Sequence, residues 1–293
     1  AMTTMTEPTT RTLEAPGATL TYDIRPSAST TEPVLLLIGS PMGASGFVTL
    51  AGHFPDRTVV TYDPRGVERS VKADPSAPST PEQHADDVHR IIAELGGGPV
   101  DLFASSGGAV NALALVARHP EQVRTVVAHE PPLAALVPDR EFALKANRAV
   151  YDAYQHDGFG AGMARFIVLV SHQGPIDQAY LDQPAPDPTM FGLPTEDDGN
   201  RNDPLLAQNM LSCTGFEPDL AALRSASTRI VLGAGAESQT ALAGRGAFAV
   251  AERLGKTPVI FPGGHGGFLG NEYGQPGEPE AFAAKLREVL AEG

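Results

Sequence analysis

Short apolar runs alternate along the chain with longer stretches whose apolar residues recur every three to four positions. Residues 19–24 alternate apolar and polar side chains with period two, the mark of a half-buried strand. Residues 34–38 are apolar throughout, as a strand covered on both faces requires. Runs at 58–62, 100–103, 123–127, 229–232 and 258–261 read the same way. Between them, 81–95 places Val88, Ile91, Ile92 and Leu95 at helical spacing behind a Ser79-Thr80-Pro81 start signal. Residues 108–119, 242–254 and 278–290 also read as helices. From 131 to 224 the rhythm changes to helical stretches and loops rich in Pro, Asp and Gly, with no clear buried strand. The alternation predicts an α/β fold with a mostly parallel, doubly wound sheet. Its core is expected over 12–132 and 225–293, with a helical lid over 133–224 inserted after the sixth strand. Residues 1–11 are expected to be a disordered tail, Ala1 before Met2 being an expression scar.

Composition narrows the function classes. Hydrophobic residues make up 42% and charged residues 19%, enough to bury a sizeable core. The net charge of −14 repels phosphate backbones and anionic membranes, so no nucleic-acid or membrane partner is expected. No apolar run reaches the ~20 residues that span a bilayer. The first residues lack a basic segment followed by an apolar one, so a cytoplasmic protein is expected. The single cysteine, Cys213, can form no internal disulfide, and the eight histidines form no cluster of metal-binding spacing. A small-molecule substrate is expected, without cofactor or metal, for a monomer or homodimer.

The chemistry concentrates in two glycine-rich turns. Ala104-Ser105-Ser106-Gly107-Gly108 lies between a buried strand and a helix. A sharp strand-to-helix turn holds its central serine, Ser106, in strained dihedrals with the hydroxyl exposed, as a nucleophile requires. Small residues on either side let strand and helix approach closely. Gly263-Gly264-His265-Gly266-Gly267 follows the last predicted strand, which makes His265 the candidate general base. A histidine in that role needs a carboxylate to set its tautomer. Glu130, pinned before Pro131 and Pro132, and Glu237, after the 229–232 strand, both preserve the order serine, acid, histidine. Glu130 is preferred and Glu237 remains the alternative. The developing oxyanion needs two backbone N–H donors. Gly107 supplies one; Ser40 is the first choice for the other and Met42 the second, since Pro41 has no N–H. His129 is read as packing or orienting its loop, and Asp63 and Arg65 as ties between loops. In the lid, Met163, Phe166 and Met210 are candidates to line an apolar pocket over Ser106.

With the Ile38-Gly39 loop, the Asp63-Pro64-Arg65-Gly66 loop, the Ser106 elbow and the Gly263-Gly264-His265 loop, residues 12–292 resemble the α/β-hydrolase superfamily. Ile38 stands where many relatives have His, Ala104 where they have Gly, and Ala236 where they have the acidic Asp. The His129-Glu130-Pro131 segment resembles zearalenone lactonases, whose acid is a Glu after the same strand, which favours Glu130. The resemblance implies a serine hydrolase acting on a carboxylic ester or lactone through an acyl-enzyme. A perhydrolase or haloperoxidase, or a carbon–carbon bond hydrolase, would use the same triad. A serine at the nucleophile position argues against the dehalogenases and epoxide hydrolases of this fold, which use Asp. A non-catalytic receptor need not keep both the Ser and the His.

Overall fold

The computed structural model describes residues 7–27 and 30–292. The described strands are β1 (Thr9–Ala15), β2 (Ala18–Arg25), β3 (Leu35–Ile38), β4 (Val59–Tyr62), β5 (Val71–Lys72), β6 (Val100–Ser105), β7 (Val123–His129), β8 (Arg229–Gly235) and β9 (Val259–Phe261). The helices of the core are α1 (Val48–Gly52), α2 (Pro81–Glu94) and α3 (Gly107–Arg118). Then come α4 (Arg140–Asp157), α5 (Phe159–Ser171), α6 (Gln178–Leu181), α7 (Met210–Thr214) and α8 (Leu220–Ser225), all between β7 and β8. Helices α9 (Leu242–Arg253) and α10 (Pro279–Ala291) complete the chain.

The sheet runs β1-β2-β4-β3-β6-β7-β8-β9, with β5 beside β2. Pairings from β4 through β9 are parallel; β1–β2, β2–β4 and β2–β5 are antiparallel. The central strands read as unbroken apolar runs because each face meets its own core. Leu36, Ile38, Leu102, Ala104, Val126 and Ala128 join one cluster, with α2, α3 and α9. Leu35, Leu37, Phe103 and Val127 point the other way, toward α1 and α10. Period-two alternation of side chains makes this division unavoidable once both faces are covered. Helix α2 starts as its sequence signal predicts: Thr80 Oγ1 accepts from Gln83 N at 3.1 Å and Gln83 Oε1 accepts from Thr80 N at 3.0 Å. Such a cap is worth about 1 kcal/mol.

Two expectations need correction. Residues 1–6 of the expected tail lie outside the described residues, but Thr9–Arg11 belong to β1, paired from Thr9↔Ile24 to Ala15↔Ala18. That strand is exposed and polar along most of its length, so no apolar pattern betrays it; backbone pairing to β2 makes it a strand. The helical insertion also follows the seventh described strand in chain order rather than the sixth: β1 and the two-residue β5 join the five apolar runs that precede it. The loops at 63–70 are tied as expected. Asp63 accepts from Ala44 N at 2.9 Å and Arg69 Nε at 2.7 Å, and Arg65 grips Asp87 through two bonds of 2.8 and 2.9 Å.

Candidate active site

Strand β6 ends at Ser105 and α3 begins at Gly107, so a single residue, Ser106, carries the whole change of direction. Its φ of 58° and ψ of −126° lie outside the ordinary regions for a side-chain-bearing residue. The strain is held by neighbours on both sides. Ser106 N donates to His129 O at 2.9 Å, tying the turn to β7. A methyl group on Gly108 would lie 2.7 Å from Gly39 Cα and 2.8 Å from Ile38 O, and one on Gly107 would collide with the Ser40 carbonyl. Only glycine permits this contact between the α3 N-terminus and the loop after β3. Ala104, one strand position before Ser105, is fully buried, so its methyl group is accommodated inside the core.

Glu130 follows β7 directly, at φ 52°, with its N–H donating to Gly233 O at 2.9 Å. It is completely buried. One carboxylate oxygen accepts from His265 Nδ1 at 2.8 Å; the other accepts from Gly235 N at 2.8 Å and Ser238 Oγ at 2.7 Å. Burial alone would raise its carboxyl pKa. The bond to His265, the nearby imidazoles and the Gly235 N–H outweigh burial and hold it below the ordinary value. His265 is placed by the loop after β9, where Gly263 at φ 81° folds the chain against Gly267. With Nδ1 committed to Glu130, its remaining nitrogen is Nε2.

Ser106, His265 and Glu130 all line one cavity of about 740 Å³ between the sheet edge and the helical insertion. Among the described residues neither Ser106 Oγ nor His265 Nε2 has a protein hydrogen-bond partner. The Glu237 carboxylate is exposed at the cavity wall and has no bond to His265 among the described residues. Its backbone instead closes the loop, N–H to Gly263 O at 2.9 Å. Ser40, Met42 and Gly107 also line the cavity, and among the described residues none of their N–H groups bonds to protein. Ser40 abuts Gly107, whereas the Met42 side chain turns onto Gly39 and Gly46.

His129 lies fully buried beneath this site, its Nδ1 2.8 Å from Ser105 Oγ and its ring 6.4 Å from that of His265. Burial takes its pKa down to about 4, so it packs as a neutral ring among Phe103, Phe261 and Phe282. Of the three lid residues singled out in the sequence, Phe166 and Met210 line the cavity and Met163 does not. It sits one turn before Phe166 on α5 and packs against the core instead. Sequence reasoning missed Ser238, which buttresses Glu130, and Asn147 and Asn209 in the cavity wall. A serine beside Glu237 was the available signal for the first; nothing marked the two asparagines.

Residues 32–211 match the family model for the α/β hydrolase fold. The chain is 33% identical over 262 residues to the uncharacterised hydrolase YraK of Bacillus subtilis (strain 168), covering 88% of this chain and 89% of that one. Among solved structures, a thermophilic esterase from Thermogutta terrifontis superposes with a TM-score of 0.65 at 19% identity, covering 98% of each chain. The enol-lactonase from Burkholderia xenovorans LB400 does so with a TM-score of 0.64 at 17% identity, covering 96% of this chain and 100% of that one. At such identities the superpositions speak for the fold, while the family match and the Bacillus relative establish membership. The chain is a hydrolase of the α/β fold and belongs to the α/β-hydrolase family.

Proposed function

We propose that the protein hydrolyses a carboxylic ester or lactone of a small to medium apolar molecule, with Ser106 as nucleophile, His265 as base and Glu130 as acid. The observation that carries the proposal is the bond from His265 Nδ1 to the buried Glu130, in the cavity that also receives the strained Ser106 elbow. Glu130 holds the imidazole with Nδ1 protonated, so Nε2 is the nitrogen that accepts the Ser106 proton. Catalytic hydrogen bonds often tighten only when substrate is present, so Ser106 and His265 close on each other in the Michaelis complex.

Ser106 Oγ attacks the carbonyl carbon while His265 takes its proton, and the Ser40 and Gly107 N–H groups receive the oxyanion. The imidazolium, stabilised by Glu130, returns the proton to the departing alkoxide. A water molecule then attacks the acyl-enzyme by the same steps in reverse, releasing acid and free Ser106. The helical insertion, 133–224, acts as the lid that shapes the acyl pocket. A thermophilic esterase and an enol-lactonase among the structures of the same fold support this reaction class.

The test is turnover of p-nitrophenyl esters and labelling by a fluorophosphonate probe. Wild-type protein labels at Ser106, and Ser106→Ala loses both label and turnover while folding normally. Retained hydrolysis in Ser106→Ala refutes the mechanism.

A further inference from the structure

The wall of the cavity beneath the insertion is apolar where Phe166, Leu169, Leu205 and Met210 form it, but two buried asparagines interrupt it. Asn147, on α4, is 2% exposed. Its Nδ2 donates to Ala143 O one turn earlier at 2.8 Å. That bond fixes which way the amide points and leaves Oδ1 without a protein partner among the described residues. Asn209 precedes α7. Its Oδ1 accepts from His84 Nε2 at 2.6 Å, and its Nδ2 donates to Pro204 O at 2.7 Å. Burial takes the His84 pKa down to about 4, so that ring is neutral and its Nε2 proton fixes the Asn209 amide as well. Helix α4 packs against both α7 and the 204–209 turn, so the two amides occupy adjoining stretches of wall.

An oriented, unpartnered amide oxygen in a largely apolar wall, where Gln173, Asn209 and Thr214 are the other polar residues that the insertion contributes, penalises any ligand that fails to meet it. Charge narrows the ligand further. Among the described residues no Lys or Arg lines the cavity, while Glu130 and Glu237 both do. An anionic group therefore finds no counter-charge there. The leaving group must lie beside His265, which returns its proton, and Leu269 and the exposed Tyr273 line the cavity a few residues further along the chain. Asn147 comes from the helical insertion and lines the same cavity, which leaves it for the acyl part.

The geometry points to Asn147 as a specificity residue, whose Oδ1 accepts a hydrogen bond from an amide N–H or hydroxyl on a neutral acyl group. This rests on the ester or lactone reading above. The test compares p-nitrophenyl esters of four to seven acyl carbons that end in a primary amide, an isosteric methyl ketone or a carboxylate. At the matching length the amide exceeds the ketone about tenfold in kcat/KM, the size of one buried hydrogen bond, and the carboxylate falls below both. In Asn147→Leu, checked for native thermal unfolding, the amide-to-ketone ratio falls to about one. A ratio near one at every length in the wild-type protein overturns the proposal, as does an undiminished ratio in Asn147→Leu; the first result needs no variant to fold. Calorimetric binding of hexanamide and heptan-2-one to Ser106→Ala separates the two readings. Tighter hexanamide binding without any ester hydrolysis upholds the pocket chemistry and sinks the reaction, while hydrolysis with equal binding does the reverse.

Discussion

Glu130→Gln is the sharpest test of which carboxylate serves His265. The side chain of Glu130 has no exposed surface, and its two oxygens face different partners. On one side are two donors, Gly235 N and Ser238 Oγ; on the other is His265 Nδ1. A glutamine amide has one oxygen and one nitrogen to satisfy both. If nitrogen faces Gly235, two donors meet at about the 2.8 Å now occupied by a bond, at a cost of roughly 1–3 kcal/mol. The amide therefore turns its oxygen to Gly235 and its nitrogen to His265. Nδ1 must then accept, which moves the imidazole proton to Nε2, where it blocks transfer from Ser106. The orientational preference alone lowers the active population about 5- to 150-fold. The full loss of a correct tautomer and of imidazolium stabilisation reaches about 10⁴-fold in serine proteases with the equivalent change. The assay is kcat on a p-nitrophenyl ester, with Glu237→Gln alongside. The expected result is a fall of 10²- to 10⁴-fold for Glu130→Gln and less than threefold for Glu237→Gln. Near-normal turnover in Glu130→Gln, with the loss appearing in Glu237→Gln instead, refutes the reasoning.

Two further outcomes follow from buried groups. His84 and His129 are both neutral in the fold, with pKa values lowered by burial to about 4 from 6.5. Below pH 6.5 the unfolded chain gains these protons while the native state does not, so stability falls between pH 6.5 and 4, by up to about 3 kcal/mol for each ring. The depressed carboxyl of Glu130 acts in the same direction at lower pH: its contribution is complete above pH 4.5 and is lost as pH falls from there through its lower native value. Urea unfolding from pH 7.5 to 4.5 measures the histidine effect, and a flat stability profile contradicts it. Ser106→Gly should remove activity yet raise stability by about 1 kcal/mol, because glycine tolerates φ 58° where serine is strained by roughly 1–3 kcal/mol. Calorimetry should show a melting point a few degrees higher; a decrease would mean that the turn is not strained.

The sheet was legible because its strands are buried on both faces, which leaves no polar position to obscure the apolar runs at β3, β6 and β7. Strand β1 was not, since Thr9, Thr10, Arg11 and Thr12 face solvent and only pairing with β2 defines them. Ser106 and His265 announce themselves through glycines that the backbone geometry requires, at Gly108 and Gly263. The choice between Glu130 and Glu237 depends on a positive φ at Glu130 and on Gly235 and Ser238 arriving from another strand, and neither is written locally in the chain. Met163 and Phe166 share a helical stripe, so periodicity cannot tell which of them the cavity reaches.

Placing the acid at the end of β7 rather than after β8 changes what the two loops are free to become. The proposed nucleophile and acid leave neighbouring strands, and Ser106 N is bonded to the residue before Glu130, so the two are tied to each other directly through the backbone. In that arrangement the β8 loop braces Glu130 through Gly235 and Ser238, and the outward carboxylate of Glu237 has no part in the proposed reaction. If the proposed triad holds, mutational libraries aimed at new substrates can randomise 236, 237 and 239 while leaving its proton-transfer groups assembled.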